Sequence, residues 1–107
     1  MKKLIILFIV SLIATPAFAQ IEYVTEYDVP YTGKTDDYSR SRLKLDIHHP
    51  LSDERLPVIV WFHGGGLTGG EKRIPAQLLN QGYIVIAPNY RLIPQVGVNE
   101  CIDDAAE

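Results

Sequence analysis

Hydrophobic and polar positions follow two different rhythms along this chain. Between Gln20 and Tyr31, the residues Ile21, Tyr23, Tyr27, Val29 and Tyr31 share one parity, with polar residues among them. Successive side chains of a strand point to opposite faces, so this segment predicts a half-buried strand. Leu43, Leu45 and Ile47 alternate in the same way with Lys44, Asp46 and His48, predicting a second strand that Pro50 stops. Thr32 to Ser41, between them, is polar with one glycine and reads as a surface loop or hairpin connection.

The second rhythm is continuous. Val58-Ile59-Val60-Trp61-Phe62 and Tyr83-Ile84-Val85-Ile86-Ala87 are unbroken apolar runs, rich in β-branched and aromatic residues. Such runs mark strands buried on both faces, and hence a mostly parallel sheet covered by helices. A helix is expected from about Ile74 to Gln81, with Ala76 and Leu78 or Leu79 inward and Gly82 just past its end. After a loop containing Pro94 and Gly97, Val98, Ile102 and Ala105 or Ala106 recur at helical spacing. Two alternating strands, a buried strand, a helix, a buried strand and the start of a helix predict an α/β sandwich beginning with an antiparallel edge.

The first 19 residues are expected to lie outside this fold. Lys2 and Lys3 precede an apolar run of 11 residues, Leu4 to Ala14, and Ala17-Phe18-Ala19 has the small-x-small form of a signal-peptidase site, with cleavage before Gln20. The run is shorter than the roughly 20 residues a spanning helix needs, so stable membrane insertion is not expected. The reading is a signal peptide at 1–19, export to the periplasm or medium, and a mature segment at 20–107.

Without Lys2 and Lys3, 8 basic residues face 13 acidic ones, a net charge of −5. An acidic chain with no basic cluster is a poor nucleic-acid binder. Cys101 is the single cysteine, so no intrachain disulfide can form, and it reads as a small buried apolar residue. No metal-ligand spacing is present; the adjacent His48 and His49 point to opposite faces of their strand. No cofactor is implied.

The chemical signal is His63-Gly64-Gly65-Gly66-Leu67-Thr68-Gly69-Gly70, directly after the first apolar run. Gly64, Gly66 and Gly69 satisfy G-x-G-x-x-G, but the ribose-binding acid expected about 20 residues on is replaced by Ala87-Pro88-Asn89. A phosphate loop needs Gly-Lys-Ser/Thr, whereas Gly70 is followed by Glu71-Lys72. A plain turn would bear the entropic cost of three consecutive glycines without need. An oxyanion hole needs such residues, because an amide without a neighbouring Cβ can approach a developing oxyanion closely, each such donor contributing roughly 10²–10³ in rate. A His-Gly-Gly-Gly run after the third strand is the arrangement of lipases and esterases.

Pro57 to Gly66 resembles the oxyanion-hole segment of the α/β-hydrolase superfamily, in its carboxylesterase and hormone-sensitive-lipase-like branch. Gln81 to Leu92, with Asn89-Tyr90-Arg91-Leu92, resembles that branch's fourth strand and its signature. Asp103-Asp104-Ala105-Ala106 resembles the start of its next helix, and Leu43-Lys44-Leu45-Asp46-Ile47 its second strand. The resemblance implies the N-terminal part of an α/β-hydrolase three-layer sandwich. It also implies that Gly65 and Gly66 supply oxyanion amides and that His63 and Gly64 support the loop, with His63 not the general base. Asn89, Tyr90 and Arg91 are either cleft-lining or strand-end residues, Arg91 in the second case making an ion pair or a loop bond.

The family's nucleophile stands in Gly-x-Ser-x-Gly, followed by an acid and a His. Ser11, Ser39, Ser41 and Ser52 lack flanking glycines, and His48, His49 and His63 come too early. The chain also ends at Glu107 within a helical stretch, whereas domains finish in exposed linkers, so a truncated front part, inactive alone, is expected. Its parent would act on a small-molecule or carbohydrate ester. A non-catalytic module holding an anion through the glycine loop and Arg91, or a fragment of a prolyl-oligopeptidase-type peptidase, are the competing readings.

Overall fold

The computed structural model describes residues 21–107; the signal-peptide reading lies outside them. Strand β1 (Tyr23–Pro30) is followed by a short helix α1 (Asp37–Arg42), strands β2 (Lys44–Pro50) and β3 (Val58–Val60), a 3-10 turn (Ala76–Leu78), strand β4 (Ile84–Pro88) and helix α2 (Val98–Ala106). The four strands form one sheet in the order β1-β2-β4-β3. The first two junctions are antiparallel, pairing Thr25 with His48 and His48 with Val85; the last is parallel, pairing Val58 with Ile84. The antiparallel edge followed by a parallel pair is the α/β order that the two rhythms imply. No helix among the described residues is long and apolar enough to cross a membrane.

β4 has partners on both edges, so its apolar run is the one that ends up inside: Val85 and Ala87 are fully buried, together with Leu43 at the entry to β2. β3 carries an equally apolar run but sits at the sheet edge. Val58, Val60, Trp61 and Phe62 are exposed, so the expected burial on both faces is not met among the described residues. An apolar run reports a preference for burial, and burial itself depends on what packs against the strand. The same holds for α2, where the stripe Val98 and Ile102 faces outward and Cys101 and Asp104 face in.

β1 is shorter than Gln20 to Tyr31, and its alternation is broken. Glu26 pairs with Ile47 and Val29 with Leu45, leaving one extra residue on β1, the signature of a β-bulge. Asp28 adopts φ 55° there, and its amide donates to Asp46 Oδ1 at 3.1 Å.

Two expectations about helices fail. Ile74 to Gln81 makes only the 3-10 turn Ala76–Leu78, because Leu79 is already extended and Asn80 turns to φ 58°. The Asn80 amide donates to His48 Nε2 at 3.2 Å instead of to a preceding helical carbonyl. Conversely, the end of the Thr32 to Ser41 loop is helical. Asp36 caps α1, its Oδ2 accepting from Ser39 N at 3.0 Å, which satisfies an amide that the helix itself leaves unpaired.

Removing the buried side chain at the start of β2 (Leu43→Ala) is expected to cost about 2–5 kcal/mol, read as a lowered urea midpoint at constant m-value. His48 provides a pH test. Its ring is buried and stacked on Tyr23, with centroids 4.9 Å apart, and burial holds the imidazole below its ordinary value of 6.5. The contribution to stability is then full above pH 6.5 and is lost as the pH falls through the lowered folded-state value. Thermal unfolding should show Tm dropping on acidification from about pH 6.5, with a smaller drop in His48→Gln.

Candidate functional site

The parallel ladder continues one residue past β3, where the Trp61 amide donates to Ile86 O at 2.8 Å. The chain then leaves the sheet into the glycine run. Gly65, Gly66 and Gly70 have φ of 133°, 63° and 102°, and Leu67 sits at 65°. Gly65 O accepts from the amides of Thr68 and Gly69, each at 3.2 Å, and from Thr68 Oγ1 at 3.2 Å. Residues Gly65 to Thr68 thus form a tight turn whose two central residues both have positive φ, the primed class that glycine favours.

The glycines are not equivalent. A Cβ on Gly65 would collide with the Gly69 carbonyl, and one on Gly70 with the Gly64 carbonyl and the His63 ring, whereas a Cβ on Gly64, Gly66 or Gly69 would meet open space. Among the described residues, no hydrogen bond uses the amides of Gly64, Gly65 or Gly66, while those of Thr68 and Gly69 are taken up inside the turn.

His63 anchors the start of the run. Its Nδ1 lies 2.8 Å from Gly64 O and its Nε2 lies 3.2 Å from Arg42 Nη2. A guanidinium only donates, so Nε2 accepts and Nδ1 carries the hydrogen given to Gly64 O. The ring stacks on Tyr90 with centroids 4.5 Å apart and planes 8° from parallel, and Tyr90 Oη donates to His63 O at 2.7 Å. Both ring nitrogens are occupied, which leaves neither free to take a proton from a nucleophile.

The other end of the run is held by Arg42, which the sequence pattern did not single out, and by Asn89, which it did. Arg42, at the end of α1, donates from Nη2 to Gly70 O at 2.9 Å, from Nη1 to Glu71 Oε1 at 2.6 Å and from Nε to Tyr90 O at 3.0 Å. Asn89 reads the next two residues reciprocally: Nδ2 donates to Glu71 Oε2 at 3.0 Å, and Oδ1 accepts from Lys72 N at 2.7 Å. The hydrogen bond from Asn89, with the charge of Arg42, holds the Glu71 carboxyl below the usual carboxylate range. Lys72 Nζ lies 2.8 Å from both Asp28 and Asp46. Burial pulls its ammonium down, but the two carboxylates outweigh that, and it ends above its ordinary value. The Tyr31 hydroxyl donates to Asn89 O, and burial, reinforced by Asp104, pushes its phenol upward.

The three candidate cleft residues therefore have different fates. Asn89 is buried and committed to Glu71 and Lys72. Arg91 is buried in a bidentate pair with Asp104, Nη2 to Oδ1 at 2.8 Å and Nε to Oδ2 at 2.9 Å, and this hydrogen bonding holds the guanidinium above its ordinary value. Of the two roles open to it, Arg91 takes the ion pair. Tyr90 alone borders a hollow, an open apolar depression of about 210 Å³ shared with Phe62, Leu67 and Cys101. The arrangement leaves the Gly64, Gly65 and Gly66 amides without hydrogen-bond partners among the described residues, on a turn braced from both ends.

Alanine scanning checks the unequal glycines. Gly65→Ala and Gly70→Ala should each destabilise the fold by more than about 1 kcal/mol, and Gly64→Ala by no more than about 0.5 kcal/mol, measured by thermal unfolding.

The BD-FAE family matches residues 45–107, more than half of the chain. Liver carboxylesterase B-1 of Rattus norvegicus is 43% identical over 61 residues, covering 51% of this chain and 11% of that protein. An isoprenylcysteine alpha-carbonyl methylesterase of Arabidopsis thaliana is 27% identical over 112 residues, covering 100% of this chain and 26% of its own length. The crystal structure of Esterase B from Lactobacillus rhamnosis (HN001) superposes with a TM-score of 0.62 at 24% identity, over 89% of this chain and 30% of that one. The chain thus spans between about a tenth and a third of the length of these proteins.

Proposed function

The chain belongs to the BD-FAE family, in the carboxylesterase and hormone-sensitive-lipase-like branch of the α/β-hydrolase superfamily, and from that premise we propose that it supplies the oxyanion-hole loop of an exported serine carboxylic-ester hydrolase. The observation that carries the reading is the set of unspent amides at Gly64, Gly65 and Gly66, in a run where the carbonyls of Gly64 and Gly65 are already engaged. Gly65 and Gly66 are the oxyanion donors, and His63 and Gly64 support them.

The chemistry follows from charge. Attack on an ester carbonyl turns its oxygen into an oxyanion, and fixed N–H dipoles stabilise that charge with no reorganisation at the moment of reaction. The attacking serine, its His base and the orienting acid must come from outside these residues, since none of the 107 stands in Gly-x-Ser-x-Gly. The 20–107 segment alone is therefore inactive. Export follows cleavage near Ala19, and the substrate is a small-molecule or carbohydrate ester, consistent with the ester chemistry named for the relatives.

Short acyl p-nitrophenyl esters test this in the complete protein carrying these residues. Hydrolysis is expected, with Gly66→Ala, which keeps the N–H but puts a Cβ on a residue at φ 63°, lowering kcat by about 10- to 100-fold through a misaimed donor at nearly constant KM, no turnover by residues 20–107 alone, and a mature N-terminus at Gln20 by mass spectrometry. A complete protein inert toward every ester tried would overturn the reading.

A further inference from the structure

We propose that Arg42 is a positioning residue for the oxyanion donor at Gly65, acting through the His63 ring; this rests on the oxyanion-loop reading above. The guanidinium reaches both ends of the glycine run. Nη2 meets His63 Nε2 at the entry (3.2 Å) and Gly70 O at the exit (2.9 Å), Nη1 meets Glu71 Oε1 (2.6 Å), and Nε meets Tyr90 O (3.0 Å). Four of its five N–H groups are used, and its side chain is only 10% exposed. Most of that network closes the base of the loop. The contact with His63 goes further, because it has a direction.

Because Arg42 donates to Nε2, the hydrogen of the imidazole resides on Nδ1, which donates to Gly64 O at 2.8 Å. The Gly64 carbonyl and the Gly65 N–H belong to one planar trans peptide unit, so they point in opposite directions. Drawing the carbonyl onto the ring therefore aims the Gly65 N–H away from His63. The next unit obeys the same rule: Gly65 O is drawn into the turn by Thr68 and Gly69, which turns the Gly66 N–H outward. Arg42 thus sets the first of two linked peptide planes, and the turn sets the second. If the imidazole carried its hydrogen on Nε2, Nδ1 and Gly64 O would be two acceptors facing each other, and that plane would rotate.

Lysine cannot replace this geometry, since a compact ammonium lacks the fixed fork that serves separated acceptors. Arg42→Met removes every donor and keeps much of the apolar stem.

The experiment uses the complete protein and two independent readouts. Long-range ¹⁵N–¹H correlation spectra of the imidazole should show His63 with its hydrogen on Nδ1 in the parent and shifted toward Nε2 in Arg42→Met. Ester hydrolysis should fall about 10- to 100-fold in kcat, as expected for a misaimed group, with KM changed less than about twofold. In a His63→Ala background, Arg42→Met should cost little more, because the two act in series. Arg42→Lys gives the same pattern at smaller size should Arg42→Met fail to fold. An unchanged His63 tautomer in the Arg42 variants, or losses that add fully across the double variant, would overturn the proposal. A protein that hydrolyses no ester but shows the tautomer change would overturn the oxyanion reading and leave the Arg42–His63 coupling standing.

Discussion

Three consecutive residues at the exit of β4 hold three separate parts of the molecule in one frame. Asn89 grips Glu71 and Lys72 at the far end of the glycine run, Tyr90 stacks on and bonds to His63 at the near end, and Arg91 binds Asp104 of α2. Each contact starts from residues that directly follow β4, a strand paired on both edges, so the interior of the sheet is what fixes the loop. A run with four residues at positive φ between Gly65 and Gly70 is not a favoured local conformation, and Leu67 in particular resists it. Tertiary contacts on both sides of the turn make it the conformation that persists, in the way strained backbone survives when its surroundings over-determine it.

Those contacts are mostly polar and partly withdrawn from water, a choice with a cost. Burying Arg91 with Asp104, or Lys72 with Asp46, gives up hydration that the Coulomb attraction repays only when the geometry is good and the remaining donors and acceptors are satisfied. Here they are. Arg91 meets Asp104 through a fork, and Asp46 Oδ1 takes both Lys72 Nζ and the amide of Asp28. Such pairs are weak evidence for stability. What they provide is direction, which an apolar contact between the same elements would not.

The strands were legible because their signals are local. Parity marks β2, and the unbroken run at Tyr83 to Ala87 marks the central strand. The glycine run stood out in the sequence because its neighbours argue against nucleotide-binding readings. Other features depend on partners distant in sequence. His48 captures the amide of Asn80 and ends the helix expected from Ile74. α1 has no apolar stripe and owes its start to the Asp36 cap. Arg42, Glu71 and Lys72 stand in polar stretches where charge is unremarkable, and only the fold reveals that they close the loop. Burial of the run at Val58 to Phe62 was misjudged for the described residues because composition cannot say which strand lies at an edge.

The bulge in β1 ties the length of that strand to the glycine run. One surplus residue, Asp28, supplies the amide for Asp46 and a carboxylate for Lys72, the residue two positions after Gly70. Outer strands usually tolerate gain or loss of a residue, since a shifted edge disturbs little beyond itself. In this fold a single-codon deletion at Asp28 would restore regular pairing in β1 and at the same time remove one partner each from Asp46 and Lys72, leaving only their pair with each other. Insertions and deletions in this outer strand are therefore constrained by a site on another part of the sheet, and variation in length should be rarer there than substitution.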